Sequence, residues 1–393
     1  MNDFLSREDL EQLVALRRDL HAHPELGFEE ERTAKIVKDY LEACGIPAEI
    51  GIGKTGVVGT LKLGNGTETI ALRADMDALA MPETASAEER PYRSKFDGKM
   101  HACGHDGHTV MLLGAARALA NRRAFSGTVH FVFQPAEEGR GGAQAMVDDG
   151  LFERYAIDRF YGLHNMPGIP VGEIAVVPGP QLASSDRWEV TFTGVGTHGA
   201  KPHLGIDATV AAGQFLTAIH TIVSRTVDPL EPAVVSACAI SAGDFKALNV
   251  IPNAVHIGGT ARAYSHTVRD QLEQRIGELA AGIAAANGVK EAYRYSRGMP
   301  PVINDADATA RATAAAQAAF GDGKVMTAYP PSTAGDDFAI FSEIVPGAYV
   351  WLGNGPATDG ALHHNTNYDF NDGAIEPGVR FWTTLVEREL QAG

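Results

Sequence analysis

VVPGPQLASSDRWEVTFTGVG, residues 176–196, is where the chain changes rhythm. Pro178, Gly179 and Pro180 break regular structure, and the strand RWEVTFTGVG then opens a new order of elements. IDATVAAGQFLTAIHTIVSRT reads as one long amphipathic helix, and AVVSACAISAG and AVHIGGTARAY as strands. HTVRDQLEQRIGELAAGIAAANG is a second helix stopped by Asn287-Gly288, and KEAYRYSRG a last strand. The order β-α-β-β-α-β is that of the split βαβ sandwich, a ferredoxin-like α+β unit, placed at residues 183–296.

Working outward, residues 1–182 alternate helix and strand patterns. Ser6 is a candidate N-cap for LSREDLEQLVALRRDL, whose Leu10, Leu13 and Val14 share a helix face. GVVGTLKLG, ETIALRADMD, GTVHFVFQPAEE and DRFYGLHN read as strands, and TVMLLGAARALANRR as a helix. Such alternation gives helices covering a mixed or parallel sheet. Residues 297–393 resume helices and strands and carry the polar cluster LHHNTNYDFND. The expected organisation is an α/β domain of residues 1–182 and 297–393, interrupted by a small inserted domain.

Composition narrows the function. The 393 residues hold 33 Lys and Arg against 49 Asp and Glu, a net charge of −16. That balance argues against nucleic acid or anionic membrane as partner, because phosphate recognition needs a surplus of cations. No apolar run approaches the roughly 18–20 residues of a spanning helix. The polar, acidic MNDFLSREDLEQ reads as neither signal nor transit peptide. Cys44, Cys103 and Cys238 are too few and odd in number for a disulfide scaffold and suit a reducing cytoplasm.

The densest chemistry lies in MHACGHDGHT, residues 100–109, with His101, Cys103, His105, Asp106 and His108. Cys103 and His105 are two apart, so on an extended segment they face one way. Thiolate and imidazole suit zinc and the later divalent transition metals. Spacing alone does not choose among the histidines, and His108 can equally cap or orient. In FQPAEEG, Glu137 and Glu138 follow a strand and can divide labour, one as metal ligand and one as general base or acid. A solvated glutamate pair is the bland alternative. His164 ends an apolar strand, His363 and His364 stand together in LHH, and Asp75 and Asp77 share a side in RADMD, suited to binding metal or holding a ligand histidine. Four separate segments each supplying a His, Cys or Glu is the pattern of a metal site assembled from distant parts of a fold.

RRDLHAHPELGFEE, ALRADMDALAM, MHACGHDGHTVMLLGAA, FQPAEEGRGGAQAMVDDG, FYGLHNMPG, THGAKPHLGIDA, NVIPNAVHIGGTARA, GDDFAIF and LHHNTNYDFND together resemble the M20 metallopeptidase clan. The match is to its aminoacylase-like branch of hippurate hydrolases, N-acyl-amino-acid amidohydrolases and auxin-conjugate hydrolases, in order along essentially the whole chain. The resemblance implies a mixed-sheet metallopeptidase catalytic domain with the inserted unit as lid and dimerisation domain. It implies two divalent ions (zinc, manganese, cobalt or nickel), with Cys103 bridging and His105, Glu138, His164 and His363 as further ligands. Glu137 becomes the general base and Asp77 an orienting residue. In LHH the motif selects His363 rather than His364, and Asp75 stays outside the ligand set. His198 of GTHGA, Asn249 and Arg262 match oxyanion- and substrate-binding positions, with His198 reaching a partner subunit in dimeric relatives. The chain departs from the pattern at Ala80, at Asp336, where Glu is usual, and at Asn365-Thr366, where proline commonly follows.

The implied activity is cytoplasmic hydrolysis of an N-acyl amino acid to a carboxylic acid and a free amino acid, by a homodimer or higher homo-oligomer. The competing expectations are a dipeptidase or aminopeptidase of the same clan, a non-catalytic scaffold, and a thiol hydrolase using Cys103. A scaffold relative would have lost Glu137 or a ligand. A thiol hydrolase would keep its activity under chelation.

Overall fold

The computed structural model describes residues 4–358 and 362–391. The chain forms two compact units, one of residues 1–179, 304–330 and 336–393, the other of 180–303 and 331–335.

The first unit is built on an eight-stranded mixed sheet. It contains β1 (Ala48–Ile52), β2 (Gly56–Leu63), β3 (Thr69–Asp75), β4 (Gly127–Gln134), β5 (Arg159–Met166), β6 (Ile174–Ala175), β15 (Val325–Met326) and β16 (Gly347–Gly353), in the order β1-β2-β4-β3-β5-β16-β6-β15. The run β4-β3-β5-β16 is parallel, so Asp75, Gln134, Met166 and Gly353 end on one edge. Chain order reverses about β3, which lies between β4 and β5. A reversal of this kind leaves a crevice at the carboxyl edge of the sheet.

Helices α1 (Arg7–Ala22), α2 (Glu31–Ala43), α3 (His105–Arg122), α4 (Gly142–Asp148), α5 (Leu151–Arg154), α9 (Ala306–Phe320), α10 (Phe338–Ser342) and α11 (Ile375–Glu389) belong to the same unit. Ser6 caps α1 in a capping box with Asp9. Almost every residue of α3 from His105 to Leu119 is buried. That is the signature of a core helix apolar on all sides, here packed on β3 and against α1 and α11. Leu13, Leu72, Val110, Leu113, Phe131 and Trp382 belong to the core around it.

The second unit holds β8 (Asp186–Thr193), β10 (Ala233–Ala242), β12 (Ala254–Ala263) and β13 (Lys290–Ser296) as an antiparallel sheet in the order β10-β12-β8-β13. Along β8, Asp186, Trp188, Val190 and Phe192 point inward and alternate with more exposed residues. Helices α6 (Ala208–Ala218), α7 (His220–Thr226) and α8 (His266–Asn287) supply Phe215, Ile222, Leu272 and Ile276 to the core. A two-stranded ribbon pairs β9 (Thr197–His198) with β11 (Val250–Ile251). Short strands β7 (Gly179–Leu182) and β14 (Val302–Asn304) lie where the chain passes between units.

The sequence predicts one helix over residues 206–226, but two form, meeting at Ile219. The Thr217 and Thr221 hydroxyls donate to the carbonyls of Gly213 and Ala218, and such back-bonding bends helices. Gly288, left-handed at φ 69°, ends α8 as its sequence implied.

Candidate metal centre

The carboxyl edge of the large sheet gathers the polar motifs. β3 delivers Asp75 and, just beyond it, Asp77. Both carboxylates reach His105: Asp75 Oδ2 is 3.5 Å from Nε2, and Asp77 Oδ1 is 3.4 Å from Nδ1. Asp77 also accepts hydrogen bonds from the successive backbone N–H groups of Glu137 and Glu138, each at 3.0 Å. One buried carboxylate therefore fixes the turn that presents both glutamates. That turn is sharp because Ala136 is left-handed at φ 52°, a conformation uncommon outside glycine.

Cys103 and His105 do not lie on an extended segment. Cys103 sits in a bend, Gly104 is left-handed at φ 100°, and His105 begins α3. A Cβ at Gly104 would stand 2.4 Å from Asn165 Oδ1, so only glycine fits there. The bend still brings Cys103 and His105 to one place. Cys103 Sγ is 3.3 Å from His164 Nε2, and with Glu138 and His364 it presents ligand atoms within 4.8 Å of one another. His105 Nε2 lies 4.0 Å from Glu138 Oε1.

The tautomers suit a cation. His105 Nδ1 donates to the Asp77 carbonyl at 2.8 Å, and His164 Nδ1 donates to the Asn165 carbonyl at 2.8 Å. A carbonyl only accepts, so in each neutral ring Nδ1 carries the proton and Nε2 keeps its lone pair. His105 Nε2 is buried without a hydrogen-bond partner. A soft thiol, three imidazoles and a carboxylate converging in this way fit a divalent transition ion.

The structure sets His364, rather than the expected His363, beside Glu138 and Cys103. His364 Nε2 stands 3.2 Å from Glu138 Oε1. The His363 ring instead packs edge-on against His164 at 4.8 Å, and its Nε2 is 3.2 Å from Asn165 Nδ2. His364 is left-handed at φ 60°, and its N–H is pinned to the Ala102 carbonyl at 2.8 Å. That twist sends the two neighbouring rings in different directions.

His108 belongs to a group with Asp75, His105 and His164 whose ligand atoms also lie within 4.8 Å. Both its nitrogens are engaged, Nδ1 at 2.6 Å from Asp75 Oδ1 and Nε2 at 2.7 Å from Asn165 Oδ1, so it orients its neighbours. Arg73, Asp337 and Tyr349 escaped the sequence reading. The buried Arg73 guanidinium bonds Gln134 at 2.9 Å, Asp75 at 2.8 Å and Asp336 at 2.9 Å. Tyr349 donates to Asp336 at 2.6 Å. An arginine in the apolar run TIALRAD was the available signal.

Glu137 is buried and grouped with Asp336 and Asp337. Burial, and then the charges of Asp336, Glu138 and Asp337, hold its carboxyl well above the usual range. Burial, and then His108 and His363, press His164 well below an ordinary histidine.

In the second unit, His198 and Asn249 are exposed and adjacent: Gly199 N–H donates to the Asn249 carbonyl at 2.7 Å. Arg262 lies towards the far end of β12, and its guanidinium donates to the Thr260 hydroxyl and to the Ala261 carbonyl at 2.9 Å.

The family model for peptidase family M20/M25/M40 matches residues 71–388. The chain is 40% identical over 376 residues to the hippurate hydrolase of Campylobacter jejuni, covering 96% of each. It is 37% identical over 377 residues to the N-acetylcysteine deacetylase of Bacillus subtilis, covering 95% of this chain and 96% of the relative. The solved structure of Bacillus subtilis YXEP, described as a dinuclear metal binding peptidase from the M20 family, superposes with a TM-score of 0.86 at 34% identity, covering 98% and 99% of the two chains. Matching motifs, shared fold and full-length likeness lead to one conclusion: the chain belongs to peptidase family M20/M25/M40, as a hydrolase of its amidohydrolase branch.

Proposed function

We propose that the protein hydrolyses the amide bond of N-acyl amino acids, giving a carboxylic acid and a free amino acid. The observation that carries this reading is the convergence of Cys103, His105, Glu138, His164 and His364 with the buried Glu137 beside them. Cys103, His105, Glu138, His164 and His364 would hold two divalent ions (zinc, manganese, cobalt or nickel). Such ions, when bound, lower the pKa of a water and polarise the amide carbonyl.

The chain's own residues do the rest. Glu137 takes the proton of the attacking water and returns it to the leaving nitrogen. Burial and the neighbouring carboxylates raise its pKa, which makes it a stronger proton acceptor than an ordinary carboxylate. Asp77 keeps Glu137, Glu138 and His105 in register. Arg262 holds the substrate α-carboxylate, for which a planar guanidinium is apt, together with Asn249 of a second copy, since the two lie far apart within one chain. His198 stabilises the oxyanion in the partner's site of a homodimer. Dimerisation through the second unit is supported by its edge strand β10, which among the described residues pairs with β12 alone and exposes Val234 and Ile240. Among the described residues no helix is long and apolar enough to cross a membrane, and we place the enzyme in the cytoplasm.

The test is metal-reconstituted protein assayed for amine release from acetyl-, benzoyl-, indoleacetyl- and long-chain acyl amino acids beside dipeptides. Release from acylated amino acids alone is expected. Turnover of dipeptides with none of acylated substrates would replace this reading with a dipeptidase.

A further inference from the structure

The motif RRDLHAHPE supplies no ligand to the metal centre, yet two of its side chains are fully buried beside it. Arg17 and His21 lie on α1, both 0% exposed. His21 sits between two carboxylates, with Nδ1 2.9 Å from Asp106 Oδ2 and Nε2 3.4 Å from Glu83 Oε1. Asp106 follows His105 directly and also accepts the Gly107 N–H at 3.0 Å, at the first turn of α3. Glu83 connects His21, through Arg90, to the loop that carries His364. It accepts from Arg90 Nη1 at 2.6 Å, and the Arg90 guanidinium donates to the carbonyls of Tyr368 at 2.7 Å and Asn367 at 3.1 Å. Those carbonyls follow His364 within one short loop. Arg17 closes the circuit, donating to Asp369 at 2.9 Å and Asp372 at 2.8 Å while standing 3.4 Å from Asp106.

We propose that His21 is a positioning residue for the metal centre, a clamp between Asp106 and Glu83 that holds the start of α3, with His105, in register with the loop that carries His364. The inference rests on the proposed metal centre and extends it to α1. A carboxylate offers only acceptors, so both ring nitrogens must carry protons for the clamp to close. The groups facing His21 are Asp106, Glu83, Arg17, the Tyr92 ring at 5.8 Å and the His101 ring at 6.3 Å. Burial and Arg17 oppose a charge on His21, but the two carboxylates prevail and raise its pKa to about 9. Lysine could not replace this ring, because one ammonium cannot donate along two opposed, fixed directions.

Zinc affinity of the full-length protein, read by competition with a chromophoric chelator, tests the clamp independently of any substrate. Circular dichroism confirms the folded state of each chain. His21→Leu should weaken zinc binding by about 10–100-fold, the usual consequence of losing a group that orients a ligand. His21→Asn keeps a donor towards Asp106 and should lose less. Glu83→Gln keeps its shape but not its charge and should fall between them; it decides the matter if His21→Leu does not fold. Folded variants with wild-type zinc affinity would overturn the clamp while leaving the metal centre standing. A wild type that binds no zinc would overturn the centre and the clamp with it.

Discussion

Asp77→Asn removes one of two equivalent acceptors from the turn that presents Glu137 and Glu138. In the native chain, Oδ1 and Oδ2 of the buried Asp77 each accept one backbone N–H at 3.0 Å. Asparagine keeps one oxygen and turns an NH2 group towards the other N–H, so one donor faces another. A hydrogen bond to a charged acceptor is worth about 1.5–3 kcal/mol, and a buried N–H left unpaired costs about 1–3 kcal/mol. The sum, about 2.5–6 kcal/mol, corresponds to ~10²–10⁴-fold more frequent local opening at 1.4 kcal/mol per tenfold. A chain of two units makes a single global unfolding free energy a poor gauge. Hydrogen exchange followed by mass spectrometry on the metal-free protein reads the turn directly. The peptide spanning residues 134–142 should exchange faster by that factor, with distant peptides such as those of α8 unchanged. Wild-type exchange of that peptide would refute the assignment of Asp77 as the strut of the turn.

Other outcomes follow from the same geometry. Glu137→Gln should retain its metal and lose ~10²–10⁴-fold in turnover, whereas Glu138→Gln should lose metal affinity first; elemental analysis beside kcat separates the two. His364→Ala should weaken metal binding by about 10-fold or more, and His363→Ala by less, since His363 faces Asn165; the reverse order would restore the motif-based choice. His21 titrates near pH 9 when folded and 6.5 when unfolded, so its contribution to stability is whole below pH 6.5 and is lost as pH rises through about 9. The margin in melting temperature of metal-free wild type over His21→Asn should shrink across that window, and a margin growing with pH would contradict it. Mixing inactive His198→Ala and Glu137→Gln chains under subunit exchange should recover activity through heterodimers with one intact site, and no recovery despite demonstrated exchange would place His198 outside a shared site.

Much of this was legible where the signal is local. The alternation along Asp186–Thr193 gives the strand and its buried face directly. Cys103 and His105, two apart in MHACGHDGHT, announce a metal centre even though the expected extended segment is a bend into α3. Long-range or conformational features were not legible. Choosing between His363 and His364 depends on a left-handed backbone and a hydrogen bond to Ala102, neither of which a pattern of residue types encodes. Arg73 advertises a buried charge, but its partners Asp336 and Asp337 lie far along the chain. Asp106 reads as an N-terminal helix acid, and only the fold shows that His21 holds it.

The central claim is that amide hydrolysis here depends on cations held by Cys103, His105, Glu138, His164 and His364. The most direct measurement strips the protein with a chelator, confirms by elemental analysis that it is metal-free, and follows N-acyl amino acid hydrolysis as zinc, manganese, cobalt or nickel is returned by equivalents. Activity should be absent at zero equivalents and rise to a plateau by about two per chain, the number a shared thiolate can bridge. Full turnover by the metal-free protein would contradict the account.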